Sequence, residues 1–270
     1  QYLKFYLKKL KLYMNNIEKL PISVIIIAGS EEKNIEDCLK SVLWSDDIVV
    51  VNSYSKDRTV EIAKKYTDRV YLKEWEGYAK QKEYSLLLAK NKWVLSIDAD
   101  ERVTEELRQE LKKVIYSDVS KSGYYIPRKN FFLGKWIKSC GWYPGYQLRF
   151  FIKEKTKLTD RKVHEGFVVN GEIGYLKGDL IHYTHPNIEH LITKINEYST
   201  LQAEEKSLRK RSNLFTIIFH PIWAFFQHFI LRKGFTDGIY GFLVSLFHSL
   251  TNLLTYIKIW EIQKIKKNQK

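Results

Sequence analysis

The feature that most constrains this chain is a series of apolar, β-branched segments alternating with helical periods between residues 23 and 116. SVIIIA (23–28), DIVVVN (47–52), RVYL (69–72) and WVLSID (93–98) each read as a short strand buried on both faces, as strands of a parallel sheet are. Between them, residues 34–43, 57–66 and 78–89 read as helices, and 104–116 gives a fourth. Repeated β-α units predict an α/β fold with a doubly wound sheet. Ligands of such sheets sit beyond the carboxyl ends of the strands. That rule gathers residues 29–31, 52–57 and 98–101 around one crevice.

SIDADE (96–101) is the motif with chemical content. A hydrophobic strand running into two carboxylates at alternate positions sets Asp98 and Asp100 at the strand's mouth. Hard oxygen ligands of this kind suit Mg2+ or Mn2+, and such an ion can hold a diphosphate. A D-x-D alone is common in solvated turns; its place after a buried strand in a β-α series is what gives it weight. Composition adds little beyond charge. With 45 Lys and Arg against 31 Asp and Glu, the net charge of +14 favours an anionic partner. No RNA-binding aromatic signature or zinc-finger spacing points to nucleic acid, so none is expected. Cys38 and Cys140 form no disulfide framework, read as packing residues, and fit a reducing compartment.

Beyond residue 123 the texture becomes aromatic and glycine-containing, with an Asn170-Gly171 hairpin signal, and residues 189–211 read as a charged helix. Residues 238–257 contain no charged side chain, yet Ser245, His248, Ser249, Asn252 and Thr255 recur at helical spacing as one polar stripe. Residues 213–230 are similarly apolar, broken by Pro221, and Arg209–Arg211, Arg232–Lys233 and the lysine-rich tail flank both pieces. Apolar faces, polar stripes and basic flanks describe helices lying in the interface of an anionic membrane rather than spanning it. Residues 1–20 read as a basic amphipathic tail, in which Met14 is a candidate true start.

The text from residue 22 to 205 resembles the family 2 glycosyltransferases, and within them the bacterial lipopolysaccharide-core β-glucosyltransferases. The matching stretches are EEKNIEDCLKSV (31–42), SDDIVVVNSYSKDRTVEIAKKY (45–66), EWEGYAKQK (74–82), WVLSIDADERV (93–103), YYIPRKNFFLGKWI (124–137), GWYPGYQLRFF (141–151), VHEG (163–166) and GDLIHYTH (178–185). The resemblance implies a GT-A-type nucleotide-binding domain over residues 21–205, with residues 206–270 as a membrane-associating, amphipathic helical segment. It implies inversion at the anomeric carbon and a nucleotide-sugar donor, a UDP-hexose first. The acceptor would be a glycan or lipid-linked glycan, met at the cytoplasmic face of the inner membrane. Carried over by position, Asp100 is the metal ligand and Asp98 lies near ribose and metal. Glu31 and Asn52 belong to the nucleoside pocket, and Lys80 and Gln81 lie near the donor. Arg149 faces the diphosphate, and Glu165, beside His164 at the substrate, is the catalytic base.

Five positions depart from the family's pattern, all in the nucleotide half: Ser30, Asn52, Tyr54, Lys56 and Glu83 stand where Asn, Asp, Gly, Thr and Asn are usual. Two consequences are open, an altered donor or a weakened enzyme. The alternatives to the main reading are a polyprenyl-phosphate sugar transferase and a catalytically silent nucleotide-sugar-binding protein.

Overall fold

The structure is a computed structural model that describes residues 17–117, 120–158, 166–185 and 187–268. The expected basic tail, for residues 1–16, and the His164–Glu165 pair lie outside the described residues. The chain divides into two compact units, residues 1–127 with most of 146–182 in one, and 128–145 with 183–270 in the other.

The first unit is built as the periodicity predicts. Its elements are β1 (Leu20–Ala28), α1 (Ile35–Lys40), β2 (Ser45–Asn52), α2 (Thr59–Ala63), β3 (Val70–Leu72), α3 (Tyr78–Leu88), β4 (Trp93–Asp98), β5 (Glu101–Val103) and α4 (Glu105–Tyr116). They are followed by β6 (Gly123–Ile126), β7 (Gln147–Ile152), β8 (Ile173–Tyr175) and the first half of β9 (Leu180–His185), whose last three residues belong to the second unit. Seven of these strands form one sheet in the order β8-β6-β7-β4-β1-β2-β3. β1 runs parallel to both β2 and β4, in a register that sets Ala28 beside Asn52 and Ile27 beside Asp98. The carboxyl ends of three strands therefore finish level, and the loops after them share one edge. The winding changes at β7, which lies antiparallel to β4 and β6, so the sheet is mixed beyond its parallel half.

Burial explains why the strands were legible. Ile22, Val24, Ile26, Val50 and Leu95 are buried on one face of the sheet, against Ile35, Leu39, Leu107 and Leu111 from the helices. Ile25, Val49, Val51 and Val94 are buried on the other, against Leu86 and Phe151. At α4 the start is fixed by Thr104, whose hydroxyl accepts the Leu107 N–H. One local expectation fails. Gly171 does take a positive φ of 120°, with the Ser122 side chain occupying the space a Cβ would need. But the strand before it, Phe167–Val169, pairs with Thr156–Leu158, while β8 after it pairs with β6. The turn separates two sheets instead of closing a hairpin.

The second unit holds α5 (Ile188–Ser207), α6 (Leu214–Phe226) and α7 (Ile239–Asn268), packed on the segment 128–145 through Phe132, Ile137, Leu191, Ile195 and Val244. Pro221 was expected to break the helix that contains it. Instead α6 runs through it and continues as a wide π-type turn over Gln227–Leu231. Its start is secured by a capping box in which Asn213 and Thr216 each bond the other's backbone N–H.

Candidate active site

β4 delivers the D-x-D turn to the edge where β1 and β2 also end. Asp98 is its last strand residue, and the chain turns at Ala99–Asp100 before entering β5. What holds the turn is Glu101. Its side chain is fully buried; Oε2 accepts the Asp98 backbone N–H at 2.9 Å and Oε1 accepts from Arg149 Nη2 at 3.1 Å. Arg149, on β7 and itself 5% exposed, also donates to both carboxylate oxygens of Asp98, with Nη1 at 3.5 Å from Oδ1. Lys82, from α3, brings its ammonium to 3.7 Å from Asp98 Oδ1. Burial alone would lower the Arg149 pKa, but the Asp98 and Glu101 carboxylates more than reverse that, so the guanidinium stays charged.

Asp100 is held differently. β9 pairs antiparallel with β5 in a register that places His182 opposite Glu101, and His182 Nε2 then lies 3.2 Å from Asp100 Oδ2. Among the described residues His182 is the one ion-pair partner of Asp100, and no cluster of three or more His, Cys, Asp or Glu could hold a metal. The residues fit a divalent ion in a restricted sense. Asp98 is engaged with cations, so Asp100 and His182 would be the protein's ligands, with the remaining positions left to phosphate oxygens and water. A carboxylate with phosphate oxygens and water is how Mg2+ is commonly held in phosphate-binding sites, the imidazole being the softer of the two protein ligands. Cys38 lies behind the turn, with Sγ 3.6 Å from the Asp98 carbonyl. Burial pushes its thiol pKa up, which suits packing and not nucleophilic chemistry.

On the nucleoside side the loops after β1 and β2 are laced together. Glu31 accepts from Asn34 Nδ2 at 2.8 Å, and its own N–H donates to Thr59 Oγ1 at 2.8 Å. Asn52 is fully buried and its amide works inside the fold. Nδ2 donates to Ser55 Oγ at 2.6 Å and to the Gly29 carbonyl at 3.4 Å, and Oδ1 accepts the Ser55 N–H at 2.8 Å. A carboxylate could accept the Ser55 N–H but could not donate to the Gly29 carbonyl, so Asn and Ser55 are chemically matched here. Tyr54, in place of the usual glycine, takes a left-handed φ of 55° with its ring exposed.

The other residues expected near the donor divide. Lys80 is exposed and paired with Glu83 at 2.9 Å. Gln81 is buried, and Nε2 donates to the Lys73 and Glu74 carbonyls at 3.1 and 2.8 Å, tying α3 to the loop after β3. So the structure gathers Asp98, Asp100 and Arg149 directly, with Glu31 on the loop after β1 and Asn52 at the end of β2. Lys82, Glu101 and His182 are the site residues that sequence reasoning did not single out.

A doubly wound nucleotide-binding sheet with an acidic turn at its carboxyl edge defines a GT-A-type transferase, and the chain belongs to glycosyl transferase family 2. The model of that family matches residues 23–167. Among curated relatives, the lipopolysaccharide core biosynthesis glycosyltransferase LpsC of Rhizobium meliloti is 30% identical over 93% of this chain and 96% of its own length. An uncharacterised glycosyltransferase of Rickettsia conorii is 32% identical over 94% and 95%. Among solved structures, Staphylococcus aureus TarS 1–349 in complex with UDP-GlcNAc is similar with a TM-score of 0.48, at 14% identity over 92% of each chain.

Proposed function

We propose that this chain is an inverting, divalent-metal-dependent hexosyltransferase of cell-envelope glycan synthesis. It would move a sugar from a UDP-hexose to a saccharide or lipid-linked glycan acceptor of the lipopolysaccharide core, at the cytoplasmic face of the inner membrane. The observation that carries this reading is the Asp98–Glu101 turn, in which Asp100 meets His182 while Arg149 and Glu101 hold Asp98. The core-biosynthesis relative supports the choice of acceptor class.

In this reading Asp100 and His182 would hold Mg2+ or Mn2+, and the bound ion would supply charge neutralisation for the departing nucleoside diphosphate. Asp98, oriented by Arg149, faces the ribose, and the Glu31 and Asn52 loops bound the nucleoside. Glu165, within VHEG, takes the proton from the acceptor hydroxyl as that oxygen attacks the anomeric carbon from the face opposite the leaving group, which inverts the centre. Residues 21–205 carry the transfer chemistry, and residues 206–270 the membrane association.

A second reading, a nucleotide-sugar-binding protein without turnover, draws on Asn52, whose amide is committed to Gly29 and Ser55. Thermal shift against a panel of nucleotide-sugars with Mn2+ tests both readings, since a recognised donor stabilises the fold by mass action. Stabilisation by a UDP-hexose, with release of UDP on adding a core saccharide, is the expected result. Stabilisation without release favours the silent binder, and no stabilisation by any donor contradicts both.

A further inference from the structure

The polar stripe of α7 does not face outward. Ser245 and Thr255 are buried, with 0% and 1% of their surface accessible. Ser249 Oγ donates to the Pro221 carbonyl of α6 at 2.8 Å, and His248 accepts from Trp142 Nε1 at 3.0 Å. Ser245, Thr251, Asn252 and Thr255 bond carbonyls one turn back in their own helix, at 2.7–2.9 Å. The polar groups are thus satisfied inside the bundle, as side chains must be where no water replaces a lost partner.

What faces outward instead is apolar. On α7 the exposed residues Ile239, Phe242, Leu246, Ile257 and Trp260 fall on one helical face. On α6 they are Phe215, Ile218, Phe219, Ile222, Trp223 and Phe226, with Phe215 69% and Ile222 63% exposed. Three of these rings form a parallel ladder: Phe215 to Phe219 at 5.3 Å and 9°, Phe219 to Trp223 at 6.4 Å and 6°. Phe229 touches both Phe235 and Phe242, with centroids 6.4 and 5.9 Å apart, so the two faces join into one surface. Eleven large apolar side chains on one surface are more than a water-soluble monomer ordinarily exposes.

The third helix decides how that surface meets its partner. α5 packs along α7, where Lys258 Nζ bonds Asn196, Ser199 and Thr200 at 2.7–2.8 Å, and its outward side carries Glu189, Glu197 and Glu204. Both apolar helices are long enough to cross a bilayer. But with the acidic side chains of α5 on one side of the bundle and the apolar faces of α6 and α7 on the other, a bundle lying in the membrane plane accommodates both sides at once. The ends of the α6 strip are marked by exposed cations, Arg209–Arg211 before it and Arg232–Lys233 after it, with no acidic residue between Glu205 and Asp237. An antiparallel contact between two copies would set these cations against each other, whereas an anionic leaflet neutralises them.

We infer that α6 and the outer face of α7 are immersed, in the plane of the membrane, in the hydrocarbon of an anionic leaflet. The polar stripe of α7 then serves as the interior of a three-helix bundle. This deepens the membrane location proposed above and is independent of the catalytic reading, because donor binding is measured on the same variants.

The test uses the full chain and two vesicle preparations, phosphatidylcholine alone and phosphatidylcholine with phosphatidylglycerol. The wild-type protein is expected to sediment with the anionic vesicles, to remain bound after a high-salt wash, and to have its tryptophan emission quenched by lipids brominated in the acyl chain. The double variant I218E/I222E, at exposed positions, should keep its melting temperature and its nucleotide-sugar binding while partitioning at least tenfold more weakly. Three results would overturn the inference: wild-type protein left in the supernatant, complete release by salt with no quenching, or a lipid-free wild-type dimer that the variant converts to monomer. Lost donor binding with intact sedimentation would instead count against the catalytic reading alone.

Discussion

Replacing Arg149 by methionine separates two roles for that residue. The family resemblance makes it a candidate contact to the donor diphosphate, and in the structure its guanidinium bonds Asp98 and Glu101. The methionine fills similar volume but leaves Glu101, with no exposed side-chain surface, beside an apolar group. Removing one partner of a buried ion pair costs about 3–5 kcal/mol. For a chain of this size each kcal/mol moves the melting temperature by roughly 2–4 °C, so a loss of about 10 °C is expected. Arg149→Lys keeps the charge but not the fork that reaches two carboxylates, and should recover part of that loss. Scanning calorimetry with and without UDP-glucose and Mn2+ reads both effects. A methionine variant that melts within about 1 °C of wild type, yet no longer binds the donor, would refute the supporting role and return Arg149 to the diphosphate.

Asp100→Asn should leave the fold intact and abolish the part of donor binding that depends on metal; full activity in the variant, or in excess chelator, counts against the ligand assignment. Glu165→Gln should preserve donor affinity while transfer falls by roughly a hundredfold or more, as loss of a general base does, and near-normal turnover moves the role elsewhere. Asp47 is buried, which alone would raise its pKa, but bonds from Ser23, the Lys90 N–H and Arg69 hold it below its ordinary 3.8. Its contribution is therefore complete above that value and lost as pH falls through the lower, folded-state pKa. Asp47→Asn should destabilise at neutral pH, with the gap from wild type narrowing below about pH 4 in acid melts.

The parallel half of the sheet was legible because β1, β2 and β4 are β-branched runs buried on both faces, a pattern few other structures require. The edge of the site followed from the strand-end rule, since Asp98 and Asp100 stand where β4 must finish. Glu101 could have been read locally, as an acid three residues beyond Asp98 and within reach of its N–H. Lys82 and His182 lie in stretches that carry the family resemblance, EWEGYAKQK and GDLIHYTH, but no local pattern assigns either to Asp98 or Asp100, because α3 and β9 bring them in from elsewhere in the chain. Asn52 was marked by position, but its bond to the Gly29 carbonyl on the loop after β1 was not. Helical spacing found the polar stripe of α7, but periodicity carries no sign. It says that Ser245 and Thr255 share a face without saying whether that face meets water or the bundle interior, and only the packing of α5 and α6 settles it.

The most direct measurement of the central claim is transfer itself. The full chain is incubated with Mn2+, labelled UDP-glucose and a lipopolysaccharide-core saccharide, and the product's anomeric configuration is read by NMR alongside UDP release. Stoichiometric UDP and a β-linked product from the α-linked donor are the predicted outcome, with both lost in Asp100→Asn. No UDP release across a panel of nucleotide-sugars and core acceptors, or an α-linked product, would contradict it.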